Sequence, residues 1–98
     1  MGPFFVIAEV AAPLTNESQV EKALIGLAEQ THGETGCIEY RMCRELSEEV
    51  RWVIYEVWKT EQDWRSHLKV DHLLEFKDLL CAIGGTLTAR KFVPLGCT

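Results

Sequence analysis

The segment from Arg51 to Trp58 constrains this chain more than any other. It is rich in β-branched and aromatic residues and reads as a strand. Successive side chains of a strand point to opposite faces. Val53, Tyr55 and Val57 therefore face one way, and Trp52, Ile54, Glu56 and Trp58 face the other. Both faces are too apolar to be left in water. The segment from Cys37 to Arg44 poses the same problem, with Ile38, Tyr40 and Met42 on one face and Cys37, Glu39, Arg41 and Cys43 on the other. A chain of 98 residues is enough for one domain and not for two. Residues 1–98 are therefore expected to form a single domain. Helices can cover one face of its sheet, and the second face needs another partner.

The remaining segments supply those helices. Phe4 to Val10 reads as a strand, stopped by Pro13. Thr15, Asn16 and Ser18 all offer helix-capping oxygens, and Ser18 with Glu21 forms a capping-box pattern. Val20, Leu24 and Leu27 then recur at helical spacing. This helix is expected to end near Thr31-His32-Gly33, with Gly33 in a left-handed C-terminal position. A short polar connection, Leu46 to Val50, joins the two middle strands. Thr60 and Asp63 start a short helix carrying Trp64, His67 and Leu68 on one side. Asp71 is expected to cap a further helix, with Leu74, Leu79 and Leu80 apolar, running to about Ile83. Gly84-Gly85 ends it, and Thr86 to Val93 is the last strand. Strand, helix, strand, strand, split helix, strand is the α+β, ferredoxin-like βαββαβ order. An exposed apolar sheet face of this kind is unusual on a monomer, so two copies are expected to pack sheet to sheet as a homodimer.

Composition removes several function classes. The net charge of −5 and the scattered cations argue against nucleic acid as a partner. Pro3 to Ala8 is far shorter than the roughly 20 apolar residues of a spanning helix, and it lacks a charged n-region. A cytoplasmic protein with no membrane partner is expected. The four cysteines, Cys37, Cys43, Cys81 and Cys97, form no CxxC pair. They are expected to be buried, reduced thiols acting as small apolar residues. Glu, His and Cys do not recur at a spacing that defines a metal site, and no Gly-rich phosphate loop is present. Neither a metal nor another cofactor is expected.

Chemistry-bearing residues concentrate between Glu34 and His72. His67 lies one turn after Trp64 on the apolar side of its helix. It suits a proton relay or a hydrogen bond to a phenol, or else a helix-end histidine satisfied by a backbone carbonyl or by Asp71. His72 begins the next helix, where it is either solvated or a ligand contact, and His32 reads as a loop residue. Glu56 is either a base of raised pKa or a structural carboxylate paired with Arg41 or Arg90 at a dimer interface. Tyr40 either offers a hydroxyl to a substrate oxygen or is a core residue with its hydroxyl tied to a neighbour. Trp58 and Trp64 are core or interface residues, or the walls of a pocket for a planar ligand.

Glu34-x-Gly36-Cys37-x-x-Tyr40, Tyr55-Glu56-Val57-Trp58, and His67 followed by Asp71-His72 occur in an order and spacing that resemble the antibiotic biosynthesis monooxygenase family. That resemblance covers nearly the whole chain. It implies a dimeric α/β-barrel built from ferredoxin-like protomers. It implies a monooxygenase that oxidises a small aromatic or quinol-type compound with O2 and without metal, flavin or haem. His67 is then the catalytic residue, and Trp64, Tyr40, Glu56, Trp58 and His72 are the substrate-pocket residues. The chain departs from haem-degrading relatives at Lys77, where their proximal histidine would fall. A non-catalytic dimeric barrel binding a small apolar metabolite, and an isomerase on the same scaffold, are the alternatives the resemblance leaves open.

Overall fold

The computed structural model describes residues 3–96. Strands β1 (Phe4–Ala11), β2 (Cys37–Arg44), β3 (Arg51–Trp58) and β4 (Thr86–Phe92) form one antiparallel sheet in the order β2-β3-β1-β4. Helices α1 (Glu17–Thr31), α2 (Glu61–His67) and α3 (Asp71–Ile83) fill the two crossovers. This is the expected ferredoxin-like α+β fold. Among the described residues no helix is long and apolar enough to cross a membrane.

The core lies on one face of the sheet. Phe4, Val6, Ala8 and Val10 from β1 and Trp52, Ile54 and Trp58 from β3 are buried there. Against them pack Val20, Leu24 and Leu27 of α1, as their spacing requires. On α3 the buried stripe is Leu73, Phe76 and Leu80. Leu74, expected inside, is 43% exposed. The 3–4 spacing from Phe76 and Leu80 places Leu73 at the centre of the stripe and turns Leu74 about 100° toward its edge.

Several local expectations are corrected. After Pro13 the chain makes one 3-10 turn, Leu14–Asn16, and Asn16 precedes α1 without a side-chain cap bond. Ser18 lies inside the helix, because Glu21 accepts hydrogen bonds from Trp52 Nε1 (2.9 Å) and Arg44 Nη1 (3.0 Å) and is unavailable for a capping box. Val70, not Asp71, occupies the N-cap of α3. Thr60 caps α2 as expected, accepting from Asp63 N at 3.1 Å. The left-handed glycine after α1 is Gly36 (φ 80°), not Gly33. A side chain on Gly36 would also collide with Asp63, so this turn requires glycine on both grounds.

That turn leads into a β-bulge between Cys37 and Glu39. The extra residue changes which face each side chain takes. Cys37 packs beside the core, Ile38 is 60% exposed, and Cys37 no longer shares a face with Cys43. Cys43 and Cys81 are exposed rather than buried. Cys97 lies outside the described residues.

Candidate active site

A cavity of about 440 Å³ separates the covered sheet face from α2 and α3. Its volume falls in the range of small-molecule sites, roughly 300–1,000 Å³. The space exists because Ala8 and Ala89 face each other across β1 and β4 and give that part of the sheet a shallow floor. The lining is largely apolar. Its polar contributors are Tyr40, Glu56, His67 and Lys77, with Trp64 as an aromatic wall.

His67 is the last residue of α2 and is almost fully buried. Its ring lies 4.8 Å from that of Trp58 and 5.5 Å from that of Tyr40, centroid to centroid. Nδ1–H donates to the Glu34 carboxylate at 2.9 Å. His72 Nε2–H donates to the same oxygen, Oε2, at 2.6 Å. Neither a backbone carbonyl nor Asp71 takes the expected role of partner to His67. A carboxylate can only accept, so this contact fixes the tautomer, and Nε2 is the ring atom left free of the proton. Burial lowers the His67 pKa from its ordinary value, against the raising pull of Glu34; the charges of His72 and Lys77 lower it further. The ring thus stays neutral into mildly acidic solution.

Glu56 is buried on the same sheet face and accepts from Trp58 Nε1 at 2.9 Å. The expected pairing with Arg41 or Arg90 does not occur. Those residues lie on the opposite face, where Arg41 pairs with Glu39 and Arg90 with Glu9. Burial pushes the Glu56 carboxyl up to about 7; the Trp58 hydrogen bond opposes this and the Glu34 charge adds to it. Tyr40 is held well above the ordinary phenol range by burial and then by the Glu56 charge, so its hydroxyl remains a donor. That hydroxyl and Thr31 Oγ1 are buried and make no hydrogen bond among the described residues. Cys37, nearby, has its thiol pushed up to about 11 by burial and by the charges of Glu34 and Glu56.

Four of the residues singled out from sequence therefore line the cavity: His67, Trp64, Tyr40 and Glu56. Two do not. Trp58 lies wholly beneath it, against His67 and Glu56, and His72 points to Glu34 from outside the lining. Trp58 bonds Glu56, which lines the cavity, and His72 bonds Glu34, which in turn bonds His67. Sequence reasoning gave Glu34 no role and considered Lys77 only as a departure from haem binders. The signal for Glu34 was present in its place just before Gly36-Cys37, in a motif that otherwise consists of turn and strand residues. His32 caps the end of α1 and donates from Nε2 to the Tyr40 carbonyl at 2.9 Å.

The fold is ferredoxin-like, and a histidine with its tautomer fixed by Glu34 borders a largely apolar cavity. The antibiotic biosynthesis monooxygenase family matches residues 3–79, and the chain belongs to that family. No curated protein matches it. Among solved structures, a candidate antibiotic biosynthesis monooxygenase from Deinococcus radiodurans is 20% identical, with 97% of this chain and 95% of that chain covered and a TM-score of 0.89. The protein PA3566 from Pseudomonas aeruginosa is also 20% identical, covering 98% and 97% with a TM-score of 0.88. A mutant of SnoaB, a cofactor-independent oxygenase from Streptomyces nogalater, is 15% identical, covering 99% and 97% with a TM-score of 0.83. At such identities the likeness establishes the fold.

Proposed function

We propose that this protein is a cofactor-independent monooxygenase acting on a small phenol- or quinol-type aromatic compound, with His67 as general base. One observation carries the reading. His67 is bonded through Nδ1 to Glu34, is almost fully buried, and borders a largely apolar cavity. A histidine held in this way accepts a proton at Nε2 near neutral pH. The substrate hydroxyl gives up its proton to Nε2, and the ring becomes electron-rich enough to pass one electron to O2. Radical and superoxide recombine as a peroxide. The peroxide takes the proton back from His67, and loss of water together with the hydrogen on the same carbon leaves one oxygen atom in the product as a carbonyl.

The other polar groups suit that sequence. Tyr40 and the protonated form of Glu56 supply hydrogen-bond donors to a developing oxyanion, and the Lys77 ammonium adds positive charge at the cavity. Apolar walls limit water and so favour oxygenation over side reactions. SnoaB, which is described as a cofactor-independent oxygenase, shares the fold.

The proposal takes residues 1–98 as one domain and two copies as the working unit. Phe5, Ile7, Val53, Tyr55 and Phe92 lie on the sheet face that no helix covers, and Tyr55 and Phe92 are 36% and 39% exposed. Sheet-to-sheet pairing would bury them. Sedimentation at micromolar protein should give a dimer, and a stable monomer refutes this part.

Oxygen uptake with a panel of quinols and polycyclic phenols tests the chemistry. Saturable consumption with at least one compound, lost in His67→Ala, is expected. Tight binding of such compounds with no oxygen consumption would favour the non-catalytic barrel instead.

A further inference from the structure

Glu34, His67 and His72 have a second chemical capacity. Their ligand atoms, a carboxylate oxygen, Nδ1 and Nε2, all lie within 4.8 Å of one another. Both imidazoles converge on one oxygen, at 2.9 Å and 2.6 Å, although the second oxygen of Glu34 is also within 3.0 Å of His67. Three donors gathered around a common point resemble a coordination sphere more than a chain of paired hydrogen bonds. They come from three separate elements: the loop before β2, the end of α2 and the start of α3.

We propose that Glu34, His67 and His72 bind one divalent transition-metal ion of the zinc type. Two imidazoles and a carboxylate suit zinc, cobalt or copper, whereas magnesium and calcium call for oxygen-rich sites. A tetrahedral ion with ligands at about 2.0–2.1 Å needs its donors roughly 3.3 Å apart, which small side-chain shifts from the present spacing provide. Three protein ligands leave a position for an exchangeable fourth. Burial favours the site, because His67 is 2% exposed and the side chains of Glu34 and His72 are 13% and 17% exposed. The required change is one of tautomer: each imidazole presents a lone pair where it now presents N–H.

This has a consequence for His67. With Nδ1 on the ion, Nε2 carries the proton and becomes a donor, so the metal-bound form cannot act as a base. The ion therefore inhibits rather than assists the oxygenase. That consequence rests on the general-base reading, whereas the binding itself does not.

Full-length protein stripped of metal by a chelator should be titrated with Co²⁺, Zn²⁺ and Mg²⁺. One equivalent of Co²⁺ is expected to give the visible bands of a low-coordinate site, displaced by Zn²⁺, with a rise in Tm. Mg²⁺ should do neither. Glu34→Gln and His72→Ala should each weaken Zn²⁺ binding by at least about tenfold, the scale on which even the supporting partners of metal ligands matter. No saturable binding, or unchanged affinity in both variants, overturns the proposal. Imidazole ¹⁵N spectra of the wild type serve if the variants fail to fold. Saturating Zn²⁺ must move the signals of His67 Nδ1 and His72 Nε2, and unmoved signals refute the site. Zn²⁺ binding without any oxygenase to inhibit would remove the function proposed above and leave the metal site standing.

Discussion

The two faces of the sheet use ionisable residues in opposite ways. On the open face, Glu39 meets Arg41 at 3.0 Å and Glu9 meets Arg90 at 3.5 Å, each pair exposed in the single chain. On the helix-covered face, Glu56 has no cationic partner among the described residues and is held by an indole N–H, while His67 is held by a carboxylate. An exposed group is solvated by water and needs no protein partner to carry a charge. Buried groups pay desolvation instead and drift toward their neutral forms. The residue types overlap, so it is burial, not composition, that separates a surface from a site with neutral acids and bases near pH 7.

The strongest way to break this comparison is to remove the base. His67→Ala should lower turnover by at least about tenfold, a threshold set below the usual range of about 10²–10⁴, with the fold retained. If His67 is only structural, Tm falls and turnover per folded molecule does not change. Calorimetry and oxygen uptake on one preparation separate these outcomes.

Glu56 gives the next largest effect. Its carboxyl moves from 4.5 to about 7 on folding, so the folded state holds the proton more tightly than the unfolded one. The associated stability is fully present below pH 4.5 and is lost as pH rises through about 7. At about 1.4 kcal/mol per unit, the wild type should lose about 3 kcal/mol relative to Glu56→Gln across that interval. Urea unfolding of both proteins at several pH values measures it, and the opposing contribution of His67 cancels in the difference. A pH-independent difference would mean that Glu56 is solvated like the open-face acids.

Trp58→Phe sharpens the same contrast. It deletes the one side-chain donor that Glu56 has among the described residues and should cost about 1–3 kcal/mol at neutral pH, the range for an orphaned buried acceptor. It should also drive the Glu56 carboxyl still higher, since that bond is what opposes burial. Carboxyl ¹³C titration reads this shift directly.

On the open face the effect should be smallest. Glu39→Gln should change stability by less than about 1 kcal/mol, because β2 is an edge strand and Arg41 is 69% exposed. A larger loss in chemical denaturation would show that even this edge is drawn into an interface.

Much of the fold was legible in sequence because its signals are local. Alternation in β1 and β3, the Val20-Leu24-Leu27 stripe, the Thr60 cap and Gly84-Gly85 each act within a few residues. These patterns set the element order, and the order leads to the ferredoxin-like sheet. Trp64, Tyr40, Glu56 and His67 were legible as candidates, and they line the cavity, for the same reason: each stands on the apolar face of its own element. The errors arise where one local signal competes with another or with a distant partner. Leu73 displaced Leu74 from the α3 stripe, Trp52 and Arg44 took Glu21 from its capping box, and a bulge after the Gly36 turn moved Ile38 outward.

What the sequence by itself determined is therefore the set of elements and the faces they must bury. Only the tertiary structure decided which carboxylate holds which imidazole. Glu34 lies 33 residues from His67 and 38 from His72, and no periodicity spans such distances. Their meeting depends on β2 and β3 pairing in one register and on α2 returning over the sheet. Sequence patterns report what each segment must bury; convergence of polar groups depends on how the buried surfaces fit together.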